Sequence, residues 1–107
     1  MQYKITQHFK NSIPFSEFQK NIHKNAIAKG FWESRNIPEK LACIHEEISE
    51  VLQAYRKKED DKIPEELADI IIRTMDLAEH LKINLSKAII KKHNKNLKRQ
   101  YLHGKRC

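Results

Sequence analysis

The chain has 107 residues, enough for one domain around a single modest core and too few for two. With 39% hydrophobic and 33% charged residues it reads as a globular protein with a hydrated surface, and its two glycines and three prolines supply too few turn formers for a sandwich or barrel. The formal net charge of +7 is unevenly spread: from Lys82 onward there are nine Lys and Arg and no Asp or Glu, whereas paired acids occupy the middle. Separate acidic and basic zones suit a metal ion with a polyanionic ligand at least as well as they suit DNA.

The opening MQYKITQHFK carries an early charge and no apolar run, so it does not read as a secretory signal. No stretch approaches the roughly 18 apolar residues of a membrane span. Cys43 and Cys107 form no CxxC pair, and a lone thiol at the last residue suits a reducing compartment. The expectation is a cytoplasmic protein without a membrane segment.

Four helices are predicted. Ser12-Ile13-Pro14 opens the first, with Pro14 at the first helical position, and Gly30 closes it as a left-handed cap. Phe15, Phe18, Ile22 and Ala26 make its apolar stripe. Asn36-Ile37-Pro38 starts the second, whose Leu41, Ile44, Ile48, Val51, Leu52 and Tyr55 are expected to share a face, ending in the polar run from Arg56 to Lys62. Ile63-Pro64-Glu65-Glu66 begins the third, with Leu67, Ile70, Ile71, Thr74, Leu77, Ala78 and Leu81 on its inner side. Asn84 or Ser86 caps a fourth that runs toward Arg99. No segment alternates with period two. Short connections make neighbours antiparallel, so the expected fold is an all-α four-helix antiparallel bundle, one domain over 1–107 with a tail from about residue 100. The apolar faces are broad for so small a monomer, which points to a homodimer or homotetramer.

The second helix contains Glu46-Glu47-Ile48-Ser49-Glu50 and the third Glu66-Leu67-Ala68-Asp69. Glu47 and Glu50 lie three apart, as do Glu66 and Asp69, so each pair projects from one side of its helix beside the apolar stripe. Antiparallel packing would bring all four carboxylates to one seam, where their repulsion calls for a cation. A donor set of oxygens alone selects a hard ion, Mg²⁺ or Mn²⁺, over zinc. Asp76 lies on the same flank, suited either to a second metal or to an interface. On the fourth helix, the face of Leu85, Ala88 and Ile89 continues into Lys92, Asn96 and Arg99, so a core-facing seam turns cationic in its last turns. Triphosphate oxygens would satisfy it. With glycine only at 30 and 104, a glycine-rich phosphate loop is excluded.

In this order, Glu46-Glu47-Ile48-Ser49-Glu50, Glu66-Leu67-Ala68-Asp69 and Lys92 to Arg99 resemble the EExxE, ExxD and KxxxNxxR motifs of the MazG-related all-α nucleotide pyrophosphohydrolases. The segment from Asn25 to Trp32 and the closing His103-Gly104-Lys105 resemble small phage-type members, so the resemblance runs from about Asn21 onward. It implies Mg²⁺ on Glu47, Glu50, Glu66 and Asp69, and phosphates on Lys92, Asn96 and Arg99. It also implies hydrolysis of (deoxy)nucleoside triphosphates to monophosphate and pyrophosphate. Glu46, which points further from the stripe, is assigned to orienting or deprotonating the attacking water. The family's base pocket maps onto Lys29, Phe31 and Trp32, with Asn25 beside them, an aromatic there being able to stack on a base. Three alternatives stand: a phosphoribosyl-ATP pyrophosphohydrolase of the same fold, a basic helical nucleic-acid binder, and a catalytically silent helical regulator, against which the intact carboxylate set argues. Apolar residues at the start of the fourth helix argue against the second.

Overall fold

The computed structural model describes residues 14–34 and 36–106. The expected N-terminal features before Pro14, with Ser12 and Ile13 among them, and Cys107 lie outside the described residues. Four α-helices are present and no strand among the described residues: α1 (Phe15–Ala28), α2 (Ile37–Arg56), α3 (Ile63–His80) and α4 (Leu85–Leu97). A 3₁₀ turn over Asp60–Lys62 leads straight into α3, and another follows α4 over Tyr101–Gly104.

Local chemistry sets most boundaries. Asn36 Oδ1 accepts the amide of Glu39 at 3.2 Å, and Asn84 Oδ1 accepts that of Lys87 at 3.0 Å, so both asparagines cap the helices that follow them. Pro14 is itself the N-cap of α1, one position earlier than expected, with no side-chain cap. At the other end, Phe31 N–H donates to Ala26 O and Gly30 N–H to Ile27 O, with Gly30 at φ +88°, the arrangement that lets a helix end on a left-handed residue. α2 and α3 end the same way, but the left-handed residues there are Lys58 at φ +60° and Lys82 at φ +57°.

Glu47 meets Arg73 and Glu50 meets Glu66 across the α2–α3 seam, and Gln19 meets Glu79 while His23 meets Asp76 across α1–α3. Both pairs of helices are therefore antiparallel. The core is small: Ile22, Ala26, Trp32, Ala54, Met75, Leu77 and Ala78, with Ile37 and Ile44 packed against it. Gln19 is buried with them and donates to Glu79 Oε1 and Ile83 O, both at 3.0 Å, tying α1 to the end of α3.

Two expectations about helix faces need correction. The inward side of α2 is Ile44, Glu47, Val51 and Ala54, whereas Leu41, Ile48, Leu52 and Tyr55 are exposed, Tyr55 to 70%. Of the residues expected on the inner side of α3, Leu67, Ile71 and Leu81, the last just past the helix end, are exposed. The apolar residues of these helices surround more of the cylinder than one chain can cover. The second correction concerns α4, which makes its main contact with α1 and buries none of its residues. Its Ile89, Ile90 and Leu97 are exposed, and the face carrying Lys92 and Arg99 is not core-facing. The radius of gyration, 16.1 Å, exceeds the roughly 13 Å of a compact domain of this length. Within one chain, α1 to α3 pack and α4 stands largely apart.

Candidate functional site

Glu47 projects from the inward side of α2 between Ile44 and Val51, which is why a charged residue here is 7% exposed. Glu66 and Asp69 come from the first two turns of α3, half-buried on the side that faces α2. Each of the three offers one carboxylate oxygen, and those oxygens all lie within 4.8 Å of one another. Glu50, one turn beyond Glu47, is exposed at the rim but faces Glu66 and Glu47 closely enough to share a proton with them. The four acids expected at one seam are thus brought together.

Their electrostatics follow from that crowding. Glu50 is pushed up to about 7, chiefly by sharing hydrogen with Glu66 and then with Glu47, and by the negative charge of both. Asp69 is raised, first by burial and then by the charges of Glu47, Glu66 and Glu65. Glu47 Oε2 and Glu66 Oε2 are buried without a hydrogen-bond partner among the described residues. Buried carboxylate oxygens left in this way are costly unless something binds them. Crowding that raises Glu50 and Asp69, orphaned oxygens and donors restricted to carboxylate fit a hard divalent cation. Zinc sites, by contrast, draw on His or Cys.

A cation of the chain's own touches the cluster. Arg73, two turns beyond Glu66 on the same side of α3, donates from Nε to Glu47 Oε1 at 2.6 Å. Its guanidinium carbon lies 5.9 Å from the ring centre of Phe31, which is 55% exposed. Sequence patterning did not single out Arg73. The available signal was a charged residue seven after Glu66 and four before Leu77, inside the buried stripe of α3.

The other expected residues are dispersed. Trp32 is 8% exposed and belongs to the core: His80 stacks on it at 4.0 Å, and Lys40 Nζ sits 4.7 Å from its ring centre. Its indole N–H donates to Asp76 Oδ1 and Oδ2 at 2.9 and 3.0 Å. His23 Nδ1 lies 2.7 Å from the same Oδ1 and, against an acceptor-only carboxylate, is the donor. Trp32 therefore serves as packing, not as an open stacking platform, and Asp76 binds α1 and the following loop to α3 instead of reaching the acidic cluster. Lys40 Nζ also donates to Phe31 O, fixing that loop. A cleft of about 540 Å³ lies beside this network, lined by His23, Ile27, Trp32, Glu33, Glu79, His80 and Lys82. Asn25 and Lys29 are exposed near the end of α1. Glu46 faces outward on α2, in a shallow groove with Leu41, His45 and Ser49, and is not joined to the cluster in a single chain. Lys92 is exposed on α4, and Arg99 falls just past the helix end. Asn96 is half-buried, and its Oδ1 has no partner among the described residues.

No helix of the described residues is long and apolar enough to cross a membrane. No curated protein and no solved structure shows significant similarity to the chain. The sequence profile of the MazG nucleotide pyrophosphohydrolase domain, however, matches residues 36–101. That span takes in α2, α3 and α4 with all the acids of the cluster, and leaves out Phe31, Trp32 and the His103-Gly104-Lys105 ending. With well over half its length in that match, the chain belongs to the MazG nucleotide pyrophosphohydrolase family.

Proposed function

We propose that the chain is a single-domain, Mg²⁺-dependent hydrolase of the cytoplasm that cleaves (deoxy)nucleoside triphosphates between the α and β phosphates, releasing monophosphate and pyrophosphate. The observation that carries this is the convergence of Glu47, Glu66 and Asp69 with two buried, unpartnered carboxylate oxygens inside the family-matched segment. Glu47, Glu50, Glu66 and Asp69 would hold the ion, with Mn²⁺ a substitute. Bound there, it would polarise a phosphoryl oxygen and acidify water. Glu50 sits at the open rim, where water and substrate enter.

The phosphate-binding role of Lys92, Asn96 and Arg99 requires α4 to face an acidic cluster. In a single chain α4 makes its main contact with α1, and its apolar residues are exposed. A homodimer or tetramer in which α4 of one copy lies over α2 and α3 of another would cover those residues and bring the cations to the carboxylates. Glu46, outward on α2, would meet the site only in such an assembly. Phe31, with Asn25 and Lys29 at the same end of α1, is the base-contacting candidate that remains accessible.

The test is incubation with a panel of NTPs and dNTPs, with Mg²⁺ or with EDTA, and separation of products by ion exchange. Monophosphate plus pyrophosphate, formed only with metal, is the expected result. Diphosphate plus orthophosphate would mean a different bond is cut, and inertness toward every nucleotide would turn attention to phosphoribosyl-ATP.

A further inference from the structure

The guanidinium of Arg73 has donors to spare at the mouth of the carboxylate cluster. Only its Nε is engaged, on Glu47 Oε1, and among the described residues no hydrogen-bond partner meets its two terminal nitrogens. The side chain is 38% exposed, so those nitrogens are open to solvent. Beside them stands Phe31, an exposed ring within 5.9 Å. Lys92 and Arg99 belong to the segment that stands apart from this cluster within the chain. An acid cluster for a cation, a two-pronged donor and an accessible aromatic surface therefore lie side by side at the α2–α3 seam and the end of α1.

From this geometry we infer that Arg73 is a substrate-binding residue, taking a phosphate oxygen of the nucleotide on its terminal nitrogens while its Nε keeps hold of Glu47. The assignment rests on the nucleotide-hydrolase function proposed above. A guanidinium suits the task because its donors are fixed in one plane: one edge stays on a carboxylate while another meets a phosphate. It also offsets the negative charge that the acids would otherwise present to an incoming triphosphate. A lysine in its place would supply charge without the second edge.

The alternative is that Arg73 serves only to hold Glu47 for the metal, and the two roles separate in binding measurements. Calorimetric titration of wild type, Arg73→Gln and Arg73→Lys with Mn²⁺ alone, then with an α,β-methylene nucleoside triphosphate in saturating Mn²⁺, provides both readouts. Circular dichroism checks that each variant is folded, and Arg73→Lys retains a cation for Glu47 should the glutamine variant unfold. The expected result for Arg73→Gln is an analogue affinity lower by about tenfold to a hundredfold, the effect of losing charge-assisted hydrogen bonds. Its Mn²⁺ affinity should be unchanged or tighter, since a positive charge near the ion has been removed. Arg73→Lys should fall between the two on the analogue. Analogue affinity within twofold of wild type in a folded variant overturns the assignment, and so does a parallel loss of Mn²⁺ affinity, which would make Arg73 a positioning residue. A wild-type chain that binds neither Mn²⁺ nor the analogue overturns the proposed function along with it.

Discussion

At the scale of single residues, the acidic cluster is a proton store when no metal is bound. Glu50 titrates near 7 in the folded chain against an ordinary 4.5. Between those values the folded state holds a proton that the unfolded state has released, so this group's contribution is fully present below about pH 4.5 and is lost as pH rises through 7. Asp69, raised as well, adds a contribution of the same sign. In EDTA, the melting temperature of wild type should therefore fall between pH 5 and 8, and Glu50→Gln should flatten that fall. An unaltered slope in the variant would show that Glu50 does not carry the proton. A bound cation replaces the proton, so Mn²⁺ affinity should climb over the same range and level off above it.

Asp76 illustrates how one carboxylate can be mistaken for another. It sits seven residues after Asp69 on the same side of α3, a spacing that suits a further ligand. What decides its role is α1 and the loop after it: His23 on the helix meets Oδ1, and Trp32 in the loop donates to both oxygens. Asp76→Asn presents an amide N–H₂ to donors that need an acceptor. It should cost about 2–3 kcal/mol by urea unfolding, as expected for a half-satisfied pair of hydrogen bonds to a charged group. Trp32, the sole tryptophan, supplies the fluorescence signal. A loss under about 0.5 kcal/mol would mean that the network contributes little.

At the scale of elements, helix starts were far more legible than the directions in which helices face. Asn36 and Asn84 announce α2 and α4 because a capping side chain must occupy one particular position, and each accepts the expected amide. The acid pairs at spacing three were legible for the same reason, a fixed local geometry. The ends of α2 and α3 fall at Arg56 and His80, where the polar run begins and beside Leu81, but the left-handed residues that close them are lysines, which carry no sign of that conformation. Nor did patterning locate the inward side of α2, where Glu47 is buried and Leu52 exposed. Hydrophobic periodicity reports every apolar contact a helix makes, including contacts outside its own chain. Lys58 offers a test at this scale: at φ +60° its side chain opposes the backbone, and glycine would relieve that. Lys58→Gly should gain about 1 kcal/mol in urea unfolding. Lys57→Gly, at φ −85°, should show no gain, so equal effects at both positions would remove the explanation.

At the scale of the whole molecule, the separation of acids from cations within one chain becomes a statement about assembly. Leu41, Ile48, Leu52 and Tyr55 on α2, Leu67 and Ile71 on α3, and Ile89, Ile90 and Leu97 on α4 are all exposed in a chain whose core is small. A second copy laid over them would provide the burial that one copy lacks. Sedimentation should accordingly give at least twice the 12.7 kDa of the chain, and Ile48→Glu combined with Leu52→Glu should shift it to monomer. If α4 reaches across, the site is shared, and sharing can be read by complementation. Glu47→Gln and Lys92→Ala should each be inactive alone. Co-refolded in equal amounts, half of randomly paired dimers are mixed, and each mixed dimer rebuilds one intact site of two, so about a quarter of wild-type activity should return. Were Lys92 to serve the cluster of its own chain, no pairing could restore a site. A mixture as inactive as its parts, from chains that demonstrably exchange, would then place α4 back over its own α2 and α3, in a conformation different from the one described.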